Sequence, residues 1–173
     1  MSMTVIVINA GHTKMGKGTG ASKYLTESVE TRKIAYELMV LLADTKHEVI
    51  PAVFDSSTTN LNDAVKLAND KKADIFISIH LNAGGGTGVE CFTWKGQMTD
   101  IGKAIQNNIV ALGFKNRGIK DGSQFYVIKN THAKCEATLV ECCFVDNKND
   151  VAKYNYKNMA KAIYNAICSV YGK

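Results

Sequence analysis

The sequence holds a single proline and a single tryptophan in 173 residues, with no low-complexity linker and no internal repeat. No apolar run approaches the ~20 residues needed to span a bilayer, so stable membrane association is not expected. The amino end lacks a charged segment followed by a long apolar stretch, and no secretory signal is read there. Cysteine occurs five times, at Cys91, Cys135, Cys142, Cys143 and Cys168. The odd count and the missing C-x-x-C pair argue against a disulfide framework and against a thiolate zinc site. These residues read as small buried hydrophobes of a protein made in a reducing compartment. The net charge of +5 comes from scattered lysines, with no basic run interleaved with aromatics. That distribution is a solvated surface, and nucleic acid is not an expected partner.

What is present is ordinary for one globular domain over residues 1–173: 46% apolar residues and 21% charged. Strand candidates fall at 3–9, 47–54, 74–80, 88–94, 124–128 and 137–145. Between them, helical spacing links Leu25, Val29, Tyr36, Met39, Val40 and Ala43, and then Leu61, Ala64, Val65 and Ala68. It returns at Ile101, Ile105, Ile109 and Leu112, closed by Gly113, and at Met159, Ile163, Ile167 and Val170. Alternating strands and helices predict an α/β fold: a twisted, mixed, mostly parallel six-stranded sheet with helices on both faces. The short gap between 74–80 and 88–94 suggests that those two strands pair antiparallel. Ligands of such sheets gather at the carboxyl ends of strands, where His12 and His80 stand.

The stretch NAGHTKMGKGTGAS (9–22) resembles a phosphate loop, through Gly11-x4-Gly16-Lys17. Gly18 stands where such a loop needs Ser or Thr for magnesium, and the chain continues as loop to about residue 25. The match is read as coincidence and the loop as one that serves a metal. His12 and His80 taken singly could be a turn residue and a core residue. Glu27 and Glu30 both open the first helix, where acids complement the dipole, and spacing does not separate them. Glu141 is different, because it interrupts the apolar run ATLVECCFV. An isolated carboxylate there would cost several kcal/mol, so it must be protonated, paired or turned toward a cleft. Two histidines and a carboxylate suit a catalytic zinc, and a further glutamate beside it suits proton transfer. Glu90 reads as a strand-face residue or a support to the site, while Asn82 and Arg117 could line a cleft. Gly84–Gly86 suggest a close-packed or flexible loop. His47 and His132 are expected to be exposed.

Together GHTK…GA, TESVETRKIA, ISIHLNAGGGTGVE, GFKNRGIK and LVECCFVDNKND resemble the zinc-dependent N-acetylmuramoyl-L-alanine amidases of the amidase-3 type. The likeness is strongest to phage endolysin catalytic domains. It implies one Zn2+ held by His12, Glu27 and His80, with Glu141 as catalytic acid/base, and it favours Glu27 over Glu30. It implies hydrolysis of the amide between the muramic acid lactyl group and L-alanine of peptidoglycan. It further implies a monomer made in the bacterial cytoplasm without a signal and acting on Gram-positive walls after release, with no wall-binding domain in this sequence. Asn9-Ala10 and Thr13 depart from the family's usual Asp-Pro and second glycine, and Glu136 stands where proline is common. The first two bear on the support of His12. Substrate-contacting residues are not identified.

Overall fold

The computed structural model describes residues 3–16, 18–56 and 58–173. Six strands form one sheet: β1 (Val5–Ala10), β2 (Glu48–Ala52), β3 (Ile75–Asn82), β4 (Val89–Thr93), β5 (Asn116–Asp121) and β6 (Glu136–Phe144). Their order is β2-β1-β3-β6-β4-β5. The first four run parallel, β4 lies antiparallel to β6, and β5 is parallel to β4. The ends of β1, β3 and β6 therefore share a rim with the beginnings of β4 and β5. This topology brings residues from five strands to one edge.

Apolar side chains of β1 and β3 alternate between the two faces, as a sheet covered on both sides requires. Ile6, Ile8, Ile75 and Ile77 face α1 (Glu27–Leu42), α3 (Asp100–Val110) and α6 (Tyr156–Tyr171). Val7 and Phe76 face α2 (Asn60–Asp70) and the short α4 (Tyr126–Asn130). A one-turn α5 (Lys148–Lys153) follows β6. The second face has the lighter cover, and the strand ends emerge there beside α2 and α4. No helix among the described residues is long and apolar enough to cross a membrane. All five cysteines are free, and Cys91, Cys142 and Cys143 are buried.

The expected architecture is correct, with several local differences. The strand expected at 124–128 is the start of α4, and the strand at 116–121 was not foreseen. Val127 and Ile128 are both buried against α2, and adjacent burial suits a helix turn rather than a two-residue alternation. β5 is an edge strand of sequence NRGIKD with half-exposed side chains, so it carries no apolar alternation to read. β4 does not pair with β3, because β6 inserts between them. In α1 the expected apolar stripe is misplaced: Val29, Tyr36 and Val40 are exposed, while Ile34, Ala35, Leu38 and Leu42 are buried. The first turns of α1 bury Glu27, Ser28, Glu30, Thr31 and Arg32 instead. Of these, Glu27, Thr31 and Arg32 reach the strand ends at Leu81, Gly11 and His12.

Candidate metal centre and active-site cleft

His12 follows β1 with a left-handed backbone, φ 64°, unusual outside glycine. The buried guanidinium of Arg32 holds this conformation. It donates to the carbonyls of His12 (3.1 Å), Phe54 (2.8 Å) and Ser28 (2.8 Å), and its Nε pairs with Asp55 at 2.8 Å. Thr31 adds a hydroxyl donor to the Gly11 carbonyl. Glycine is required at position 11 because a Cβ there would lie 2.4 Å from the His80 ring. At Gly20, φ is +77°, and a Cβ would meet Glu27 Oε2 at 2.5 Å.

The hydrogen-bond network fixes the tautomers of both rings. His12 Nδ1 lies 3.0 Å from the Gly18 carbonyl, which only accepts, so Nδ1 carries the proton. Its Nε2 then directs a lone pair at Glu27 Oε1, 3.1 Å away. For His80 the chain of reasoning starts at Asn9, whose Nδ2 donates to the Ala52 carbonyl at 2.8 Å. Asn9 Oδ1 must accept from the Ser78 hydroxyl at 2.8 Å, and that hydroxyl can then only accept from His80 Nε2 at 3.2 Å. His80 Nδ1 is left unprotonated and faces the same Glu27 Oε1 at 3.1 Å. Asn9 thus supports His80, not His12.

With both rings neutral, two ring lone pairs and one carboxylate oxygen converge on a point, an arrangement that takes up either a proton or a metal cation. The three candidate ligand atoms fall within 4.8 Å of one another. Tetrahedral zinc, with bonds of about 2.0–2.2 Å, would hold such atoms roughly 3.4 Å apart, so the set fits one ion after small shifts. Glu27 is anchored by the Leu81 and Ala21 backbone amides, at 3.1 and 2.9 Å. Burial alone would raise its pKa, but the two imidazoles override that and hold it well below the usual carboxylate range. For His12 burial works to lower the pKa, and the Glu27 carboxylate outweighs it, leaving it raised. Glu30 is committed elsewhere, to Lys33 at 2.8 Å and to the Tyr154 hydroxyl at 3.0 Å.

Glu141 stands beside His80 in the β3–β6 register and opposite Glu90 in the β4–β6 ladder. Its Oε2 is buried and has no hydrogen-bond partner among the described residues. Burial first, then the charges of Glu27 and Glu90, push its pKa up to about 8. The candidate ligands His12 and His80 and the Glu141 carboxyl open on a cleft of about 350 Å³, lined also by Leu61, Tyr126 and Leu139 among others. On the next strand of the sheet Glu90, 3% exposed, accepts from Asn82 (2.6 Å), Arg117 (2.8 Å) and Lys120. Burial acts to raise the Glu90 pKa, and the two cations more than reverse it.

Arg32, Ser78 and Lys120 were not singled out from the sequence. The cue for Ser78 was available, as a hydroxyl in the buried run IFISIH two residues before a histidine. His47, expected at the surface, is buried with Nε2 2.9 Å from the Gly172 carbonyl. The first glycine loop does not act as a phosphate cradle: the Gly18 carbonyl is engaged with His12, and α1 begins only at Glu27. Lys17 of that motif lies outside the described residues. Gly86 is close-packed, since a Cβ would meet the Phe144 ring at 2.4 Å.

These features define a class, an α/β protein with a candidate mononuclear metal centre facing a buried carboxyl group. The model of the N-acetylmuramoyl-L-alanine amidase family, Amidase_3, matches residues 6–169, and the chain belongs to this family. It is 35% identical over 158 residues to the N-acetylmuramoyl-L-alanine amidase CwlM of Bacillus licheniformis, covering 87% of this chain and 60% of that protein. It is 31% identical over 160 residues to the endolysin of Bacillus phage SPP1, covering 86% of this chain and 57% of that protein. This chain therefore spans less than two thirds of either relative. The catalytic domain of CwlV, an N-acetylmuramoyl-L-alanine amidase from Bacillus (Paenibacillus) polymyxa var. colistinus, superposes with a TM-score of 0.85 at 27% identity, over 97% of this chain and 98% of that one.

Proposed function

We propose that the chain is the catalytic domain of a peptidoglycan amidase over residues 1–173. It cleaves the amide joining the lactyl group of N-acetylmuramic acid to L-alanine of the stem peptide, in walls of Gram-positive bacteria and as a monomer. His12 Nε2, Glu27 Oε1 and His80 Nδ1 hold one Zn2+. The observation that carries this reading is the orphaned Glu141 carboxyl beside three converging ligand atoms. When bound, the ion supplies Lewis acidity, polarising a carbonyl and making water a nucleophile near neutral pH.

The residues of the chain do the rest. Glu27 and the two imidazoles would hold the ion against which the reacting carbonyl is placed, while Ser78 and Gly18 fix which ring nitrogens are offered to that ion. Glu141 lies on the neighbouring strand to His80, where it accepts a proton from the attacking water and returns it to the departing alanine nitrogen. A carboxyl with a pKa of about 8 in the metal-free protein is poised to hold a proton, and a cation at the centre would bring it down toward neutrality. Leu61 and Tyr126, both exposed at the cleft, shield the site from bulk water once substrate covers them.

Digestion of purified walls followed by mass spectrometry tests the reading. Release of stem peptides with a new L-alanine amino terminus, abolished by chelator and restored by zinc, is the expected result. Cleavage at another bond, or none with zinc present, overturns it.

A further inference from the structure

The order of side chains across the exposed sheet face is His80 on β3, Glu141 on β6, Glu90 on β4, then Lys120 and Arg117 on β5. Glu90 carries one negative charge and Arg117 and Lys120 two positive, so the cluster keeps a net positive charge at the end of the row. Both cations contact the same Glu90 oxygen, Oε2, while Asn82 occupies Oε1. Arg117 uses only Nε for this pair. Neither terminal guanidinium nitrogen has a hydrogen-bond partner among the described residues. The guanidinium also lies over the Phe144 ring, 5.0 Å from its centroid, and Lys120 over that of Phe92 at 6.0 Å. Glu90 and the two rings hold the cations in place, with the Arg117 side chain 30% and that of Lys120 41% exposed. A guanidinium fixed through Nε with its outer nitrogens open has the geometry that takes a carboxylate in two parallel bonds.

We infer that Arg117 and Lys120 form a subsite for a carboxylate on the leaving peptide, borne by the residue that follows L-alanine. This rests on the amidase reading above. The side of the scissile bond follows from Glu141, which protonates the leaving nitrogen and stands between His80 and the cationic pair. From β6 to β5 is two strand spacings, roughly 10 Å. Arg117 and Lys120 reach back over part of that span to Glu90, and one further residue of an extended peptide covers about 3.5 Å more. A carboxylate there lands beside the open guanidinium nitrogens. Glu90 is then a positioning residue: it aims the cations and leaves one positive charge for the substrate.

The test uses two substrates, N-acetylmuramoyl-L-alanyl-D-glutamate with its γ-carboxyl blocked as the methylamide and the same compound with its α-carboxylate also converted to carboxamide, at low salt with zinc present. Charge-assisted hydrogen bonds of this kind correspond to a preference of about tenfold or more in kcat/KM for the carboxylate substrate, carried largely by KM. Arg117→Gln and Lys120→Met bring the ratio of the two substrates toward one. Competition by L-alanyl-D-glutamate γ-methylamide against its α-carboxamide in the wild-type protein gives a readout that needs no variant, with the acid the stronger inhibitor by a similar factor. Equal cleavage of both substrates, preference for the carboxamide, or a preference that survives both substitutions overturns the subsite. Failure to release either peptide with a free L-alanine amino terminus overturns the amidase reading, and the subsite with it.

Discussion

Glu141 and Glu90 face each other across the antiparallel β4–β6 ladder, two carboxyl groups on directly opposed residues. Among the described residues only Glu90 of the two has cations paired with it, Arg117 and Lys120. The pair is thereby divided into an ionised member and one biased toward holding a proton, a division that suits a support and an acid/base.

Substituting Glu141→Gln should lower turnover by about 10²-fold or more, with zinc content unchanged. Its effect on the metal-free fold depends on pH. A carboxyl raised in the folded state opposes folding wherever the unfolded chain is ionised and the folded one is not. The penalty is absent below the ordinary value of 4.5, grows up to about pH 8, and is constant above. Glu141→Gln should therefore raise the Tm of the metal-free protein at pH 8 and leave it nearly unchanged at pH 4. Equal shifts at both pH values would show that Glu141 is not held protonated.

Ser78→Ala removes the acceptor that keeps the His80 proton on Nε2, and it frees Asn9 Oδ1. Zinc affinity should fall about 10- to 100-fold with little change in Tm of the metal-free protein. A competition titration with a chromophoric chelator measures this directly.

Gly20→Ala places a methyl group against Glu27 Oε2 at a left-handed position. The core lies elsewhere, so the variant should keep its circular dichroism spectrum and lose most zinc binding. Retained wild-type affinity would mean that Glu27 is free to move aside.

Arg32→Met removes the guanidinium donor from the carbonyls of His12, Phe54 and Ser28, of which Ser28 keeps the Thr31 hydroxyl, in a buried setting. A loss of about 3 kcal/mol in unfolding free energy is expected, read by denaturant titration. Zinc binding should weaken as well, since His12 loses the support for its left-handed backbone.

Zinc should raise the Tm of the wild-type protein in a concentration-dependent way. The gain should shrink as pH falls, because protons compete for His12, whose pKa is raised. In the metal-free protein the same shift has the opposite sign. A histidine raised in the folded state stabilises fully below its ordinary 6.5, and that contribution disappears as pH rises through its folded value. Thermal scans from pH 5 to 8, with and without zinc, separate the two. A zinc-induced gain that does not depend on pH would remove His12 from the ligand set.

Most of the sheet was legible because β1, β3 and β6 are buried on both faces and announce themselves as apolar runs. Most of the candidate site was legible for a related reason: Glu141 breaks such a run, and His12 and His80 end two of them, whereas Glu27 was separated from Glu30 only by the family resemblance. β5 was not, since NRGIKD sits half-exposed at an edge and carries no apolar alternation. The face of α1 was misread because its first turns bury Glu27, Glu30, Thr31 and Arg32, against the rule that polar residues mark the solvent side.

The sequence by itself determined the alternation of strands and helices, the mixed sheet, and which side chains had too costly a position to be incidental. Only the tertiary structure decided that β6 inserts between β3 and β4, which sets Glu141 beside His80 and opposite Glu90. It also decided that Asn9 acts on His80 through Ser78. Local preference fixes an element, whereas strand order is settled by pairings between distant segments and the His80 tautomer by the Ser78–Asn9 hydrogen bond, 69 positions apart, which no short-range pattern encodes.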